Sequence, residues 1–285
     1  MRLLLLVALL TQVATALATA SVRSPSTSLG INSLEGQSYS SPGPVPRTTS
    51  VPALRAMAIR REIEERFTIG LDAEARGDWS AASSEFERVL ALHPPEPQGS
   101  TAHYDLAIAY ANLHRNDDAA RELRAAIALD PGFLAALANL VSVDLARGDF
   151  RDARGIADRY LMLAPESARA LYSRGIVALG SGDYPTARND FGKLLHVNPS
   201  YAIAHYDLAL AEERLGRYDS AERELRGALA LAPAYARARF ALGVVLLREG
   251  EHSEARNAFA RATIDAAGDP ALQNIAAAMR DSIKL

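Results

Sequence analysis

The stretch Ala168–Tyr201, ARALYSRGIVALGSGDYPTARNDFGKLLHVNPSY, decides the fold, because the chain writes its pattern about six times. A small residue, Gly175, is followed by a turn at Gly182-Asp183-Tyr184. Then come a second small residue at Ala187, an aromatic at Phe191 and a proline at Pro199. Pro131, Pro165, Pro199 and Pro233 stand 34 residues apart, and so do Ala119, Ala153, Ala187, Ala221 and Ala255. A fixed period of this length belongs to a stack of similar supersecondary units, each burying its apolar face against the next.

Each unit reads as two antiparallel helices. In Ala202–Tyr235, the residues Ala204, Leu208, Ala209 and Leu215 share one helical face, and Gly216-Arg217-Tyr218 stops that helix. Asp219 is the expected N-cap of the next helix, whose stripe is Ala221, Leu225, Ala228 and Leu229; Pro233 ends it. The equivalent turns contain Gly77, Gly148, Gly182 and Gly250, since the end of a helix favours a left-handed residue. Only His114-Arg115-Asn116 lacks the glycine.

Two helices approach closely only where the side chains at their crossing are small. The second helices place Ala82, Ala119, Ala153, Ala187, Ala221 and Ala255 there, against Gly70, Ala107, Val141, Gly175, Ala209 and Gly243 of the first helices. Val141 is the departure and predicts a slightly wider crossing in its repeat.

Two places break the period. From Pro94 to Pro131 is 37 residues rather than 34, and the surplus falls in Pro94–Gly99, a loop by composition. After Ala262 the pattern fails, and Gly268-Asp269-Pro270 opens a segment in which Leu272, Ile275, Ala276, Met279 and Ile283 form one apolar stripe. Gln273, Asn274, Arg280 and Asp281 back it. Residues 270–285 therefore read as a capping helix that closes the open end of the core. At the other end Met57, Ile59, Ile63, Phe67, Leu71 and Ala75 recur at near-helical spacing, with Pro52 suited to a first turn.

Composition narrows the function classes. The 285 residues carry 31 Lys+Arg against 34 Asp+Glu, a net charge of −3 with both signs interspersed, so there is no basic footprint for nucleic acid. Cysteine is absent, which removes disulfides, thiolate metal sites and thiol nucleophiles. Residues 1–20 combine a basic start at Arg2, an apolar run Leu3–Leu10 and a small-residue site Ala18-Thr19-Ala20, the parts of a secretory signal peptide. Residues 21–52 are rich in Ser and Pro and are expected to be a disordered linker. The expected location is extracytoplasmic, periplasmic or secreted. Signal cleavage would leave no integral membrane domain, whereas an uncleaved segment would anchor the chain. A start at Met57 would make it cytosolic instead.

The repeat residues resemble the tetratricopeptide repeat, most closely in Tyr172/Gly175/Tyr184/Ala187/Phe191/Pro199 and Tyr206/Leu208/Ala209/Tyr218/Ala221/Leu225/Pro233. The resemblance covers residues 53–285. It implies an all-α, right-handed solenoid with an array at 53–269, whose repeats are 63–96, 100–133, 134–167, 168–201, 202–235 and 236–269. It also implies a concave groove lined by the first helices that binds peptides or partner proteins, and no catalysis.

On that groove the resemblance places Phe67, Tyr104, Ala138, Tyr172, Tyr206 and Phe240, a largely aromatic ladder. Asp105, Asn139, Ser173 and Asp207 stand beside it, able to hydrogen-bond an extended backbone. The Lys/Asn clamp that some members use for acidic C-terminal peptides is missing, since those faces carry Phe67, Leu71, Tyr104 and Ile108. Arg169, Arg214, Arg237 and Arg248 are candidates for a basic patch. The six histidines are not at metal-ligand spacing, and His103 and His205 share a repeat position, which argues for packing. No nucleophile elbow, phosphate loop or zinc-protease motif occurs, so neither a cofactor nor an enzyme activity is expected. The leading expectation is an exported interaction scaffold. The alternative is a membrane-tethered structural subunit of a cell-envelope assembly.

Overall fold

The computed structural model describes residues 50–284; the expected signal peptide and nearly all of the expected linker lie outside these residues. The described residues form thirteen helices and no strand. Their first-member helices are α1 (Val51–Ala75), α3 (Gln98–Asn112), α5 (Leu134–Arg147), α7 (Ala168–Ser181), α9 (Ala202–Arg214) and α11 (Ala236–Glu249). Alternating with them are α2 (Trp79–Ala91), α4 (Asn116–Leu129), α6 (Phe150–Leu163), α8 (Tyr184–Val197), α10 (Tyr218–Leu231) and α12 (His252–Asp265), and α13 (Pro270–Ser282) follows. The chain divides into two compact units, α1–α5 ending at Asp149 and α6–α13 beginning at Phe150. Within each unit consecutive helices pack, and in the second unit α7 also touches α9, and α9 touches α11.

The crossing alanines Ala82, Ala119, Ala153, Ala187, Ala221 and Ala255 are all fully buried. Their first-helix counterparts follow a volume rule. A Cβ on Gly70 would lie 2.8 Å from the Phe86 ring, one on Gly175 2.6 Å from Phe191, and one on Gly243 2.8 Å from Phe259. Each glycine is thus the seat of a phenylalanine sixteen residues later. Where the first helix has alanine, at Ala107 and Ala209, the residue sixteen later shrinks to Leu123 and Leu225. Val141 is buried in the first unit, and Ala157, sixteen residues later, is buried in the second.

The turns obey backbone sterics. Gly77, Gly148, Gly182, Gly216 and Gly250 all have φ between 73° and 86°, and His114 takes the same role with φ 60°. The Gly-Asp turns also cap the following helix: Asp78 accepts from the Ala81 N–H at 3.1 Å, and Asp183 accepts from the Thr186 N–H at 3.4 Å. Asp219 does not act as expected. The cap position is Arg217, without a side-chain bond, and Asp219 lies in the first turn of α10, where its charge suits the helix dipole.

Three other expectations are corrected. Gln98 and Gly99 belong to α3 rather than to a loop. Glu96 folds back over that end, accepting from the Ser100 N–H at 3.3 Å, so the surplus residues partly extend the helix. On α1, Ile63, Gly70 and Ala73 are buried, while Met57 and Leu71 are exposed. Gln273 of α13 is half-buried and donates to the Thr263 carbonyl at 3.2 Å, which ties α13 to α12. Ala276, Ile283 and Met279 supply the apolar contact, so α13 covers the last repeat.

Candidate functional site

The expected aromatic row is present on the first helices, but much of it is spent on packing between repeats. In the first unit Tyr104 rests on Phe133 at a centroid distance of 4.9 Å, and its hydroxyl accepts from Asn139 Nδ2 at 3.2 Å. Asn139 therefore serves Tyr104. Phe67 meets Phe86 edge-on at 5.5 Å. Asp105 is buried, and burial together with the nearby Glu74 carboxylate pushes its carboxyl up to about 8.

In the second unit Tyr172 packs on Tyr201 at 5.5 Å and on Phe191 at 6.0 Å, Tyr206 packs on Tyr235 at 5.2 Å, and Phe240 packs on Phe259 at 5.3 Å. Tyr172, Ser173 and Phe240 are half-buried. Tyr206 is only 3% exposed and Asp207 is fully buried, so neither meets the expectation of a residue standing on a surface. The nine expected residues thus fall into two sets. Phe67, Tyr104, Asp105 and Asn139 lie in the first unit, and Tyr172, Ser173, Tyr206, Asp207 and Phe240 in the second.

Three aromatic partners were not singled out: Phe133, Tyr201 and Tyr235. Each immediately precedes a first helix and lies 29 residues after its ring partner. The signal was in the chain as Pro-x-aromatic, in Pro131-Gly132-Phe133, Pro199-Ser200-Tyr201 and Pro233-Ala234-Tyr235. Histidine does the packing expected of it. His103 Nδ1 meets Glu122 at 2.8 Å and His205 Nδ1 meets Glu224 at 2.7 Å. His205 Nε2 adds the Pro199 carbonyl at 3.0 Å.

The basic patch does not assemble. Arg214 turns to Glu213 and to the Tyr184 hydroxyl, while Arg237 and Arg248 lie near opposite ends of α11, about 16 Å apart along its axis.

The electrostatics of the second unit single out one residue. Asp207 sits among the Tyr172, Tyr201, Tyr206 and Tyr235 side chains, all of which feel its charge. The Tyr172 hydroxyl is directed at it but stops short of hydrogen-bond geometry, so both carboxylate oxygens are without a partner. Burial pushes the Asp207 carboxyl up to about 7. Two shallow hollows lie elsewhere. One, of about 310 Å³, is lined by Arg154, Arg174 and Asn189; the other, of about 720 Å³, by Arg188, Lys193 and His196.

Sequence profiles described as Tetratricopeptide repeat match residues 67–132 and 172–235, and a second pair of matches covers residues 113–174 and 214–279. Together they run without a gap through the helix pairs. The chain is an all-α repeat solenoid and belongs to the tetratricopeptide-repeat family. Among solved structures it is similar to a tetratricopeptide repeat protein from Parabacteroides merdae, with 19% identity, a TM-score of 0.63, and coverage of 78% of this chain and 98% of that one. It is similar to MamA from Desulfovibrio magneticus, with 20% identity, a TM-score of 0.56, and coverage of 60% and 97%. It is also similar to a chain of the APC/C Cut9–Hcn1 hetero-tetramer, with 19% identity, a TM-score of 0.60, and coverage of 82% and 48%. At these identities the likeness is one of fold. No curated protein matches the sequence. Among the described residues no helix is long and apolar enough to cross a membrane.

Proposed function

We propose that this chain is an exported, non-catalytic scaffold that holds a protein or peptide partner on its first-helix face. The observation that carries this reading is the composition of that face. In the second unit the half-buried rings of Tyr172, Tyr201 and Tyr235 and the half-buried hydroxyl residue Ser173 lie on the first helices and at their N-terminal ends. Rigid aromatic side chains offer large contact area at small entropic cost, and polar neighbours offer hydrogen bonds to a bound backbone. Export is supported by the pattern of Met1–Ala20.

A photo-crosslinking residue at Ser173, compared with one at the exposed Gly192 of α8, tests the face in native cells. Adducts from Ser173 alone are expected. Adducts from Gly192 alone would move the interface to the second helices and overturn the reading. Native protein recovered outside the cytoplasm and beginning near Ser21 is the expected outcome for export, whereas an N-terminus at Met57 would reject it.

A further inference from the structure

Asp207 is a buried carboxyl that the fold leaves without a counter-charge. Asp105, at the same repeat position in the first unit, is also buried and stands beside the Glu74 carboxylate. Asp190, Asp144 and Glu212 do have a cationic partner. Asp190 takes two bonds of 2.7 Å from Arg174, and Asp144 takes bonds of 3.1 and 3.2 Å from Arg124. Glu212 Oε1 accepts from Arg188 at 3.0 Å, and its other oxygen faces Arg217 at 3.8 Å. Around Asp207 there are tyrosines instead. Tyr172 comes from α7, Tyr201 and Tyr235 come from the residues preceding α9 and α11, and Tyr206 lies beside it on α9. Arg237 lies near the Tyr206 and Tyr235 hydroxyls but gives Asp207 no hydrogen bond.

We propose that Asp207 and the Tyr172, Tyr201 and Tyr235 rings form a subsite for one basic side chain, lysine or arginine, of a partner protein laid on the first-helix face. This rests on the reading of that face as the partner-binding one. Three physical terms converge there. A carboxylate among apolar rings attracts a cation far more strongly than one in water does. The faces of tyrosine rings attract cations in their own right. The unpaired buried charge also costs folding free energy, which an arriving counter-charge recovers. Tyr206 is almost wholly buried, while Tyr172, Tyr201 and Tyr235 are half-buried. Asp207 itself is fully buried, so the proposed subsite requires these side chains to move when the cation enters. An acidic side chain is refused by like charge.

The test uses the full chain with ¹³C-labelled tyrosine rings and three ten-residue Gly/Ser peptides that differ only in a central Lys, Ala or Glu. The expected result is that the Lys peptide shifts the Tyr172, Tyr201 and Tyr235 ring signals and binds at least ten-fold more tightly than the Ala peptide. The Glu peptide is expected to shift none. Asp207→Asn should remove the ten-fold preference while keeping a cooperative melt. Equal binding of the Lys and Ala peptides at these rings would keep the face and overturn the subsite, as would a Lys preference that survives in Asp207→Asn. If no peptide moves these rings, the subsite is overturned as well; the crosslinks from Ser173 and Gly192 then decide separately whether the face itself binds.

Discussion

Asp190 and Asp207 are both fully buried, on the successive helices α8 and α9, yet the fold treats them in opposite ways. Asp190 lies between the two helices of one repeat, where Arg174 reaches across and pairs with both of its oxygens. Asp207 lies where one repeat meets the next on the first-helix side, among tyrosines that provide polar hydroxyls but no charge. A charge neutralised within its own repeat serves the fold. A charge left unpaired costs stability and gains meaning only through what comes to it.

The largest effect should come from breaking the neutralised side. Arg174→Ala leaves Asp190 buried without its counter-charge, and the expected loss is about 3–5 kcal/mol in urea unfolding. A loss below about 1 kcal/mol would place Asp190 in the same class as Asp207 and erase the contrast.

The same α7–α8 contact is also closed by volume. Gly175→Ala puts a Cβ into the Phe191 ring and should cost about 1–3 kcal/mol. Adding Phe191→Leu reproduces the Ala209/Leu225 pairing of the following repeat and should recover most of that loss. Independent, additive losses in the double variant would refute the volume rule.

Much of this was legible in the chain. The period, the glycine turns, the crossing alanines and the docking of the last helix follow from side-chain size and backbone sterics, which recur with the repeat. The depth of the aromatic row was not legible. Tyr104, Tyr172 and Tyr206 occupy one repeat position, yet Tyr206 is buried and the other two are half-buried. Depth is set by what the following repeat lays over a ring, and periodicity does not encode that. The depth of Asp207 was not legible for the same reason. Its repeat position gave it a face, while its burial comes from Tyr172, Tyr201 and Tyr235, which lie outside its own helix.

The smallest and most diagnostic effect lies on the unpaired side, and it has the opposite sign. The unfolded chain holds Asp207 near the ordinary 3.8, and the folded chain holds it at about 7, so the native state binds the extra proton in between. Stability is therefore full below about pH 4, falls as pH rises through the window, and levels off above about pH 7. Asp105, pushed up to about 8, contributes in the same direction. Asp118, Asp183, Glu122 and Asp281 are held below their ordinary values and act with the reverse sign only in more acidic solution. Burial also raises Glu74 and Glu249, so melts between about pH 5 and 8 follow the raised carboxylates together, and the comparison with Asp207→Asn isolates Asp207. Asp207→Asn removes the charge at nearly constant shape. It should be close to neutral at pH 5 and about 1–2 kcal/mol more stable than the native chain at pH 8, with the remaining slope carried by the other raised carboxylates, Asp105, Glu74 and Glu249. A gain that does not grow with pH would mean that Asp207 has a counter-charge in the folded state. The distinction from Asp190, and with it the reason for a cationic partner, would then be gone.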